Sequence, residues 1–273
     1  MLKNNEKKVR TQEVHFSRKL LAIPYLAFIA VFVAVPLVLI IIYAFSDGNG
    51  HFTFKNAVEF FTNADYINSL VTSAIIGIAN TAICLLIGYP LAYILAKKEY
   101  KFNFFMVILF IMPMWINFIL RTYATRDLLH ILHLSNYSLV STMIGMVYNF
   151  LPFVILPLYT TMIKMDKSVI EAANDLGAKP YQTFFRVIIP MSYPGILSAI
   201  SMVFVPTMSS YAITDILGNA KVSVIGSSIN LVLTTLSQNM GSFMALIMLI
   251  IMGISMFLTR KKDKTENVRG GLW

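Results

Sequence analysis

The sequence is short of charge and almost free of cysteine. Only 13% of its 273 residues are charged, whereas 57% are hydrophobic and the mean hydropathy is +0.71. A soluble domain carries about 25% charged residues, so this composition excludes one and indicates a protein that lies in lipid. The single cysteine, Cys84, excludes an intramolecular disulfide.

The sequence also lacks the motifs of common enzymes. It has no phosphate-binding loop G-x-x-x-x-G-K-[ST], no zinc helix H-E-x-x-H and no nucleophile elbow G-x-S-x-G. We therefore expect a chain that is not an enzyme and binds no cofactor or ATP by itself. His130 and His133, with Asp127 nearby, come nearest to a metal set. An amphipathic turn explains them equally well, and no metal site is predicted.

Six long stretches contain no charged residue. Each can hold the roughly 20 apolar residues that a helix needs to cross a bilayer. Backbone groups in lipid must bond within their own segment, and the sequence has no alternating barrel pattern. It therefore predicts an all-α integral membrane protein with six spans: Leu20–Phe45, Leu70–Ala96, Phe102–Leu120, Leu139–Ile163, Met191–Ile213 and Ser242–Leu258.

Five prolines lie inside the second, fourth and fifth predicted spans, and each removes or strains backbone hydrogen bonds. We expect them to interrupt the second, fourth and fifth spans. Interrupted helices at membrane depth often line a cavity, and kinks that serve packing alone are the alternative. The prolines are Pro90, Pro152, Pro157, Pro194 and Pro206.

The basic residues set the predicted orientation. All but four of the 22 Lys and Arg residues fall in the two tails, the second-to-third connection and the fourth-to-fifth loop. Positive residues accumulate on the cytoplasmic side, so both termini are predicted to be cytoplasmic. The net charge of +9 then follows from topology and requires no nucleic acid. The predicted divisions are a tail 1–19, a transmembrane domain 20–258 and a tail 259–273.

The fourth-to-fifth loop, residues 164–190, is polar, charged and helical in character. Ser168 and Glu171 have the spacing of a capping box and predict a helix that begins at Ser168. Gly177 can adopt the positive φ that ends this helix. A second short helix is predicted from about Pro180 to Arg186, with proline in its first turn. The loop is expected to form a rigid surface unit for another protein, and an ordinary connecting loop is the alternative.

This loop resembles the coupling loop of ABC importer permeases, whose signature is E-A-A-x3-G-x9-I-x-L-P. Val187 and Ile189 stand where the family has Ile and Leu. The resemblance implies the six-transmembrane-helix ABC importer permease fold in a bacterial plasma (inner) membrane. It also implies that the matching residues couple the chain to an ATPase: Glu171, Ala172, Ala173, Gly177 and Pro190.

The same resemblance implies three protein partners. A cytoplasmic ABC ATPase dimer would bind ATP and seat the coupling loop. A second six-span permease would complete the translocation pathway. An extracytoplasmic substrate-binding protein would deliver the cargo. The contrasting reading is a secondary transporter without an ATPase, which favours buried ionisable residues for ion coupling.

Two further stretches resemble the B-type permease of spermidine/putrescine importers. One is Met112–Ala124. The other is Tyr211–Asn219, where the family has T-P-D-L-L-G-G and this chain keeps Asp215 and Gly218 but not the proline. The resemblance implies a polyamine cargo. Permeases for phosphonates, opines, iron or thiamine share much of this framework and remain alternatives.

A polyamine path needs aromatic faces, hydrogen-bond acceptors and carboxylates. No Asp or Glu lies within the six predicted spans. Arg121 would suit an anion, and it can equally snorkel to the interface or pair with Asp127. Interfacial anchoring is the alternative role for the aromatics and helix capping for the carboxylate. The candidate path residues are Trp115, Asn117, Tyr148, Tyr211 and Asp215.

Overall fold

The computed structural model describes residues 23–97, 103–134, 138–218, 221–235 and 237–269, and within these ranges the chain forms helices and no strand. The helices are α1 Ile23–Ile29, α2 Val35–Ala44, α3 Lys55–Thr62, α4 Ala64–Ala96, α5 Asn103–Ile111, α6 Phe118–Ile131, α7 Ser138–Met162, α8 Lys167–Asp175, α9 Pro180–Thr183, α10 Ile189–Met191, α11 Tyr193–Ser209, α12 Tyr211–Leu217, α13 Ile225–Thr235 and α14 Gln238–Arg269. The π-helical turns Ala30–Ala34 and Phe184–Ile188 join α1 to α2 and α9 to α10, and a 3₁₀ turn, Met112–Trp115, follows α5.

Four of the described helices are long and apolar enough to cross a membrane, and the number rises to six if two bent pairs each count as one span. The four correspond to the predicted first, second, fourth and sixth spans, although residues 20–22 of the first lie outside the described residues. Helix α14 continues to Arg269, through most of the predicted second tail. The four helices are Pro24–Ala44, Ala64–Ala96, Ser138–Met162 and Gln238–Phe257.

The predicted third span, Phe102–Leu120, is bent in the structure. The chain leaves the helix at Ile116, and the helical segments on either side meet at 98°. Pro113 lies in the 3₁₀ turn before the break and has no backbone N–H to donate. The absence of charge therefore predicts how long this apolar segment is but not that it bends.

Two side chains stabilise this break. The Asn117 Oδ1 accepts from the backbone N–H of Ile119 at 2.9 Å and so caps the start of α6. The guanidinium of Arg121 donates from Nη1 to the carbonyl of Pro113 at 2.8 Å, across the break. Polar groups released by the interrupted helix are thereby bonded within the chain.

The predicted fifth span, Met191–Ile213, differs at both ends. Helix α11 begins at Tyr193, after a turn at Ser192 where the helical segments before and after it are bent by 65°. It ends at Ser209, because Ser210 leaves the helical conformation with φ −79° and ψ 68°. The remaining predicted residues belong to α12, a separate short helix.

The prolines interrupt the helices less than expected. Helix α4 is continuous through Pro90, and α7 through Pro152 and Pro157, so the predicted interruptions of the second and fourth spans are wrong. In α11, Pro206 lies inside the helix and Pro194 in the first turn, where its missing N–H costs no bond. Neighbouring helices can compensate the freed backbone groups of a membrane helix, which explains the tolerance.

Helices α4, α7 and α11 pack against one another and form the core. Helix α14 packs beside α2 and α13, so the first and last spans are neighbours. The most apolar 18-residue stretch of Pro24–Ala44 contains no buried residue, as expected for a helix that faces lipid. The facing side chains of the core include Cys84, Met146, Val154, Leu158, Ala199 and Val203.

One buried hydrogen bond links two of the core helices, and a second lies within one of them. Asn80 on α4 donates to the hydroxyl of Thr207 on α11 at 2.8 Å. Asn149 on α7 donates to the carbonyl of Gly145, one turn earlier. Hydrogen bonds between membrane helices stabilise by roughly 0.6 kcal/mol each on average, so packing carries most of the association.

Two short helices, α3 and α13, are absent from the sequence-based prediction. Helix α13 lies inside the charge-free stretch 222–259, which charge alone merges into the sixth span. Asn56 on α3 donates to the carbonyls of Ala44 and Ser46 at 2.9 and 3.1 Å. Asn239 donates to the same Ser46 carbonyl at 2.7 Å, so the loop after α2 is tied to the start of α14.

The start of α13 lies so close to the end of α11 that Gly226 has no room for a side chain. A Cβ there would collide with the backbone carbonyl of Ser209, which cannot rotate away. We expect Gly226→Ala to destabilise the folded protein by about 1–3 kcal/mol, the usual range for overpacking. Thermal unfolding of the purified protein in detergent measures this loss. Gly253→Ala is the matched control, because its Cβ would meet no atom within 4 Å; equal melting temperatures for the two variants would contradict the prediction.

Candidate functional site

Helix α8 opens the loop that follows α7, and its start corrects the predicted capping box. The helix begins at Lys167, and its cap is Asp166, whose Oδ1 accepts from the N–H of Ser168 at 2.9 Å. A carboxylate is a stronger acceptor than the Ser168 hydroxyl, so it takes the capping position. This bond lowers the pKa of Asp166 from its ordinary value. The cap is therefore strongest above the carboxyl's unfolded pKa and is lost as pH falls through the lowered one.

Gly177 ends α8 as predicted, with a φ of +80°. Its N–H donates to the carbonyl of Asn174 at 2.9 Å, and the N–H of Ala178 donates to that of Ala173 at 3.0 Å. These two bonds form a Schellman motif, which satisfies the last carbonyls of the helix. A Cβ at position 177 would meet no atom within 4 Å, so the requirement for glycine comes from the backbone alone.

A side-chain hydrogen bond joins α8 to the helix that follows. The buried Thr183 hydroxyl donates to the Asn174 Oδ1 at 3.0 Å. The N–H of Lys179 donates to the Gln182 Oε1 at 2.9 Å and caps α9. The second helix begins at Pro180 as predicted but runs on through the π-helical turn and α10, past the predicted end at Arg186. The two helices thus form one rigid unit.

Phe184 attaches this unit to α4. Its ring meets the rings of Tyr89 and Tyr93 edge-on, with centroids 5.6 and 5.5 Å apart. The Tyr89 hydroxyl also lies 2.7 Å from the Ser192 hydroxyl. Because Ser192 donates its own proton to the carbonyl of Ile189, Tyr89 is the donor of the pair. The second helix of the loop is therefore held directly against a core helix.

The sequence reasoning missed the residues that give the loop its rigidity. Phe184, Thr183 and Asn174 stand outside the signature residues and were not selected. The adjacent aromatic pair Phe184 and Phe185, after a proline-led turn, was the available signal. Only the first of the pair is packed, since the second is 64% exposed.

The predicted coupling residues lie on and beside this unit. Glu171, Ala172 and Ala173 are on α8, Gly177 ends it, and Pro190 lies in α10 at the far end of the second helix. Glu171 also lines a cavity of about 360 Å³ between α8 and the ends of α4 and α7. The outer face exposes large apolar side chains, with exposed fractions of 44% for Val169, 89% for Leu176 and 58% for Tyr181.

The structure brings some of the candidate path residues together and leaves others apart. Trp115 is 87% exposed at the break before α6. Tyr148 lies beneath the guanidinium of Arg121, 5.8 Å from ring centroid to Cζ. Tyr211 and Asp215 are on α12, which packs against α6 and α7. Asp215 accepts a hydrogen bond from the Ser227 hydroxyl at 3.4 Å.

The sequence left two questions open: whether Arg121 pairs with Asp127, and whether His130 and His133 help to hold a metal. Asp127 is ion-paired to Arg126 at 3.3 Å, whereas Arg121 is buried and bonds to the carbonyl of Pro113. Across the described ranges, no three His, Cys, Asp or Glu side chains lie close enough to hold a metal ion.

An all-helical fold with apolar spans and a rigid helical surface loop defines a multi-pass membrane component. Residues 85–261 match the family described as the inner membrane component of binding-protein-dependent transport systems, and the chain belongs to this family.

Curated relatives narrow the class further. The spermidine/putrescine transport system permease protein PotB of Haemophilus influenzae is 34% identical over 262 residues, covering 86% of this chain and 90% of that protein. PotB of Escherichia coli is 32% identical over 219 residues, covering 74% and 80%. A PotB homolog of Mycoplasma genitalium is 27% identical, covering 76% and 77%. The chain is a membrane permease subunit of an ABC importer.

Solved structures agree on the fold. A bacterial ABC transporter involved in the import of the acidic polysaccharide alginate matches with a TM-score of 0.64 at 14% identity, covering 89% of this chain and 94% of that one. A second alginate transporter structure, in complex with an alginate pentasaccharide-bound periplasmic protein, matches with a TM-score of 0.67 at 13% identity. At such low identity, the likeness concerns the fold.

The bond between Thr183 and Asn174 generates a prediction about the rigidity of the loop. Thr183→Val keeps the side-chain shape but removes the donor, which costs about 1 kcal/mol for a typical hydrogen bond. We expect backbone amides of α8 to exchange about fivefold faster with deuterium, by the same free energy. Mass spectrometry of the detergent-purified protein measures this exchange.

Thr234→Val is the matched control for this experiment. The Thr234 hydroxyl is exposed and bonds only to carbonyls of its own helix, those of Asn230 and Leu231. Unchanged exchange in α8 after Thr183→Val would show that the bond does not hold the two helices together.

Proposed function

We propose that this chain is the permease subunit of a polyamine importer that carries spermidine or putrescine into the cell. The observation that carries the proposal is the 34% identity to PotB of Haemophilus influenzae over 86% of this chain. The relationship extends across the spans and the loop, because the alignment covers 90% of that relative.

The proposed topology has six spans and two cytoplasmic termini. Each bent helix pair then counts as one crossing, and the predicted excess of basic residues falls on the cytoplasmic side. This arrangement puts the coupling loop, residues 164–190, in the cytoplasm. It also puts the N-terminal end of α4, the start of α13 and the segment just before α13 on the outer side.

In the proposed mechanism, an ABC ATPase dimer docks on the coupling loop and drives the spans. The exposed apolar side chains Val169, Leu176 and Tyr181 supply the docking surface, next to Glu171 and Ala172. Apolar side chains exposed to water on a polar loop are typical of contact surfaces. The hydrogen bonds within the loop and the packing of its second helix on α4 would turn domain closure into a rigid-body movement.

The chain acts with other proteins in this proposal. A second six-span permease forms the other half of the pathway, and an extracytoplasmic binding protein delivers the cargo. ATP binds to the separate ATPase, since this sequence has no phosphate-binding loop and needs no cofactor of its own.

The proposed cargo path passes the faces of α6, α7 and α12. Trp115 and Tyr148 offer aromatic rings, Asn117 and Tyr211 offer polar groups, and Asp215 is the one carboxylate of the set. The guanidinium of Arg121 lies over the Tyr148 ring, so a passing ammonium meets repulsion together with the attraction of the ring. Weak binding of this kind suits a path that cargo must leave.

The coupling role generates a prediction at Gly177. Gly177→Val forces a β-branched residue to a φ of +80°, which costs roughly 1–3 kcal/mol and displaces the end of α8. We expect uptake and substrate-stimulated ATP hydrolysis by the assembled complex to fall about tenfold, while membrane insertion persists. Gly48→Val is the control, because Gly48 lies in a loop at ordinary φ with no atom within 4 Å of a Cβ. Wild-type uptake by the Gly177 variant would remove the loop from the mechanism.

The cargo is tested by competition. Uptake of radiolabelled putrescine is measured in membrane vesicles that contain the whole importer, with unlabelled spermidine, putrescine or an anionic phosphonate added. We expect both polyamines to compete and the phosphonate to have no effect, because only the polyamines carry the recognised positive charges. Failure of both polyamines to compete would end the polyamine assignment and leave the importer class intact.

A further inference from the structure

A polar cleft of about 810 Å³ opens between the N-terminal ends of α4 and α7 and the segment that leads into α13. Ten of its 14 lining residues have polar side chains. By contrast, the cavity of about 530 Å³ between α6 and α7 has three among nine. In a chain with this much apolar surface, so polar a cleft indicates contact with water or with a polar ligand.

A row of serine hydroxyls lines the cleft. The Ser69 and Ser228 hydroxyl oxygens are 2.6 Å apart, and those of Ser228 and Ser223 are 3.3 Å apart. Deeper on α4, the Ser73 hydroxyl accepts the N–H of Ile225 and fixes the start of α13. Each hydroxyl has two lone pairs and one proton, so the row keeps spare acceptors. Spare oxygen acceptors are what an ammonium group needs when it leaves water.

Two charged side chains lie on the cleft, Asp65 from the first turn of α4 and Lys221 from the loop before α13. Both are exposed, and they do not form an ion pair with each other: the ion pair found among the described residues joins Arg126 to Asp127. The Asp65 carboxylate is therefore available to a cation that enters the cleft.

An aromatic ring completes the lining. Tyr66 lines the cleft, and Phe60 stacks against its ring with centroids 6.2 Å apart and planes 8° apart. The stacking holds the tyrosine in place beside the carboxylate. A carboxylate, an aromatic ring and a row of hydroxyls are together the groups that bind alkylammonium ions.

We propose that this cleft is the site where the permease first binds a di- or polyammonium cargo, with Asp65 as the counter-ion. The proposal rests on the proposed function and its topology, which put the cleft on the outer side. Lys221 opposes the cargo charge at the other wall and keeps the binding weak, so the cargo can pass on toward the spans.

The test measures the KM for putrescine uptake by the assembled importer with two charge-removing variants. Asp65→Asn keeps the shape and leaves the Asn63 cap of α4 in place, since that cap binds the backbone N–H of residue 65. We expect it to raise KM about fivefold, the usual size of one partly solvated charge interaction. Lys221→Met is expected to lower KM about two- to fivefold by removing repulsion.

Asp127→Asn and Lys55→Met are the matched controls, because both residues are exposed on the same proposed side and neither lines the cleft. We expect neither to change KM. If the wild type imports putrescine and Asp65→Asn behaves like Asp127→Asn, the cleft site is refuted and the proposed function stands. If Lys221→Met raises KM for putrescine as Asp65→Asn does, the two variants act through the structure of the cleft and not through its charge, and the assignment of Asp65 as the counter-ion is refuted. If the wild type imports no polyamine, the proposed function itself fails.

Discussion

The structure depends on one constraint: in hydrocarbon, every backbone N–H and C=O must find its partner inside the chain. Long helices meet this demand along their length, and prolines inside α4 and α7 do not end them. Where a helix does break, polar side chains form hydrogen bonds with the backbone groups that the break leaves free. Asn117 and Arg121 bond the freed groups at the break before α6, and Ser192 bonds to both Tyr89 and Ile189 at the turn before α11. Breaks in this protein therefore coincide with polar side chains.

The same constraint connects the surface loop to the core. The Ser192 hydroxyl bonds the backbone carbonyl of Ile189 at the turn, and it also accepts a hydrogen bond from Tyr89 on α4. Phe184 packs on that tyrosine and on Tyr93, so the loop helices are attached to the central helix by a hydrogen bond and two ring contacts. A force on the loop then acts on α4, α7 and α11 together, since these three helices share one core. Rigidity in the loop and close packing in the spans are parts of one mechanical path.

The positions of the apolar helices and the glycine that ends α8 were predictable from the sequence, whereas the angle at which a helix bends was not. Charge-free stretches located the spans, and Gly177 predicted the helix end, because each reports a local requirement. The 98° break before α6 was missed because an apolar stretch has the same composition whether straight or bent. Asp166 caps α8 in place of the predicted Ser168, because two neighbouring side chains can each accept a backbone N–H at this helix start and the carboxylate is the stronger acceptor. The contact of Phe184 with α4 joins residues about 90 positions apart, which no local pattern reports.

The position of acidic groups follows from the same physics of lipid. A carboxylate at membrane depth is expensive to bury, and the predicted spans contain none. Helix α4 begins six residues before the predicted span, at Ala64, and so carries Asp65 at the rim of a polar cleft where water still solvates it. A rim carboxylate can attract a cation without trapping it, because the dielectric there stays high. Negative charge at the rim and uncharged polar groups deeper in are consistent with a subunit that passes cations on and leaves strong recognition to another protein.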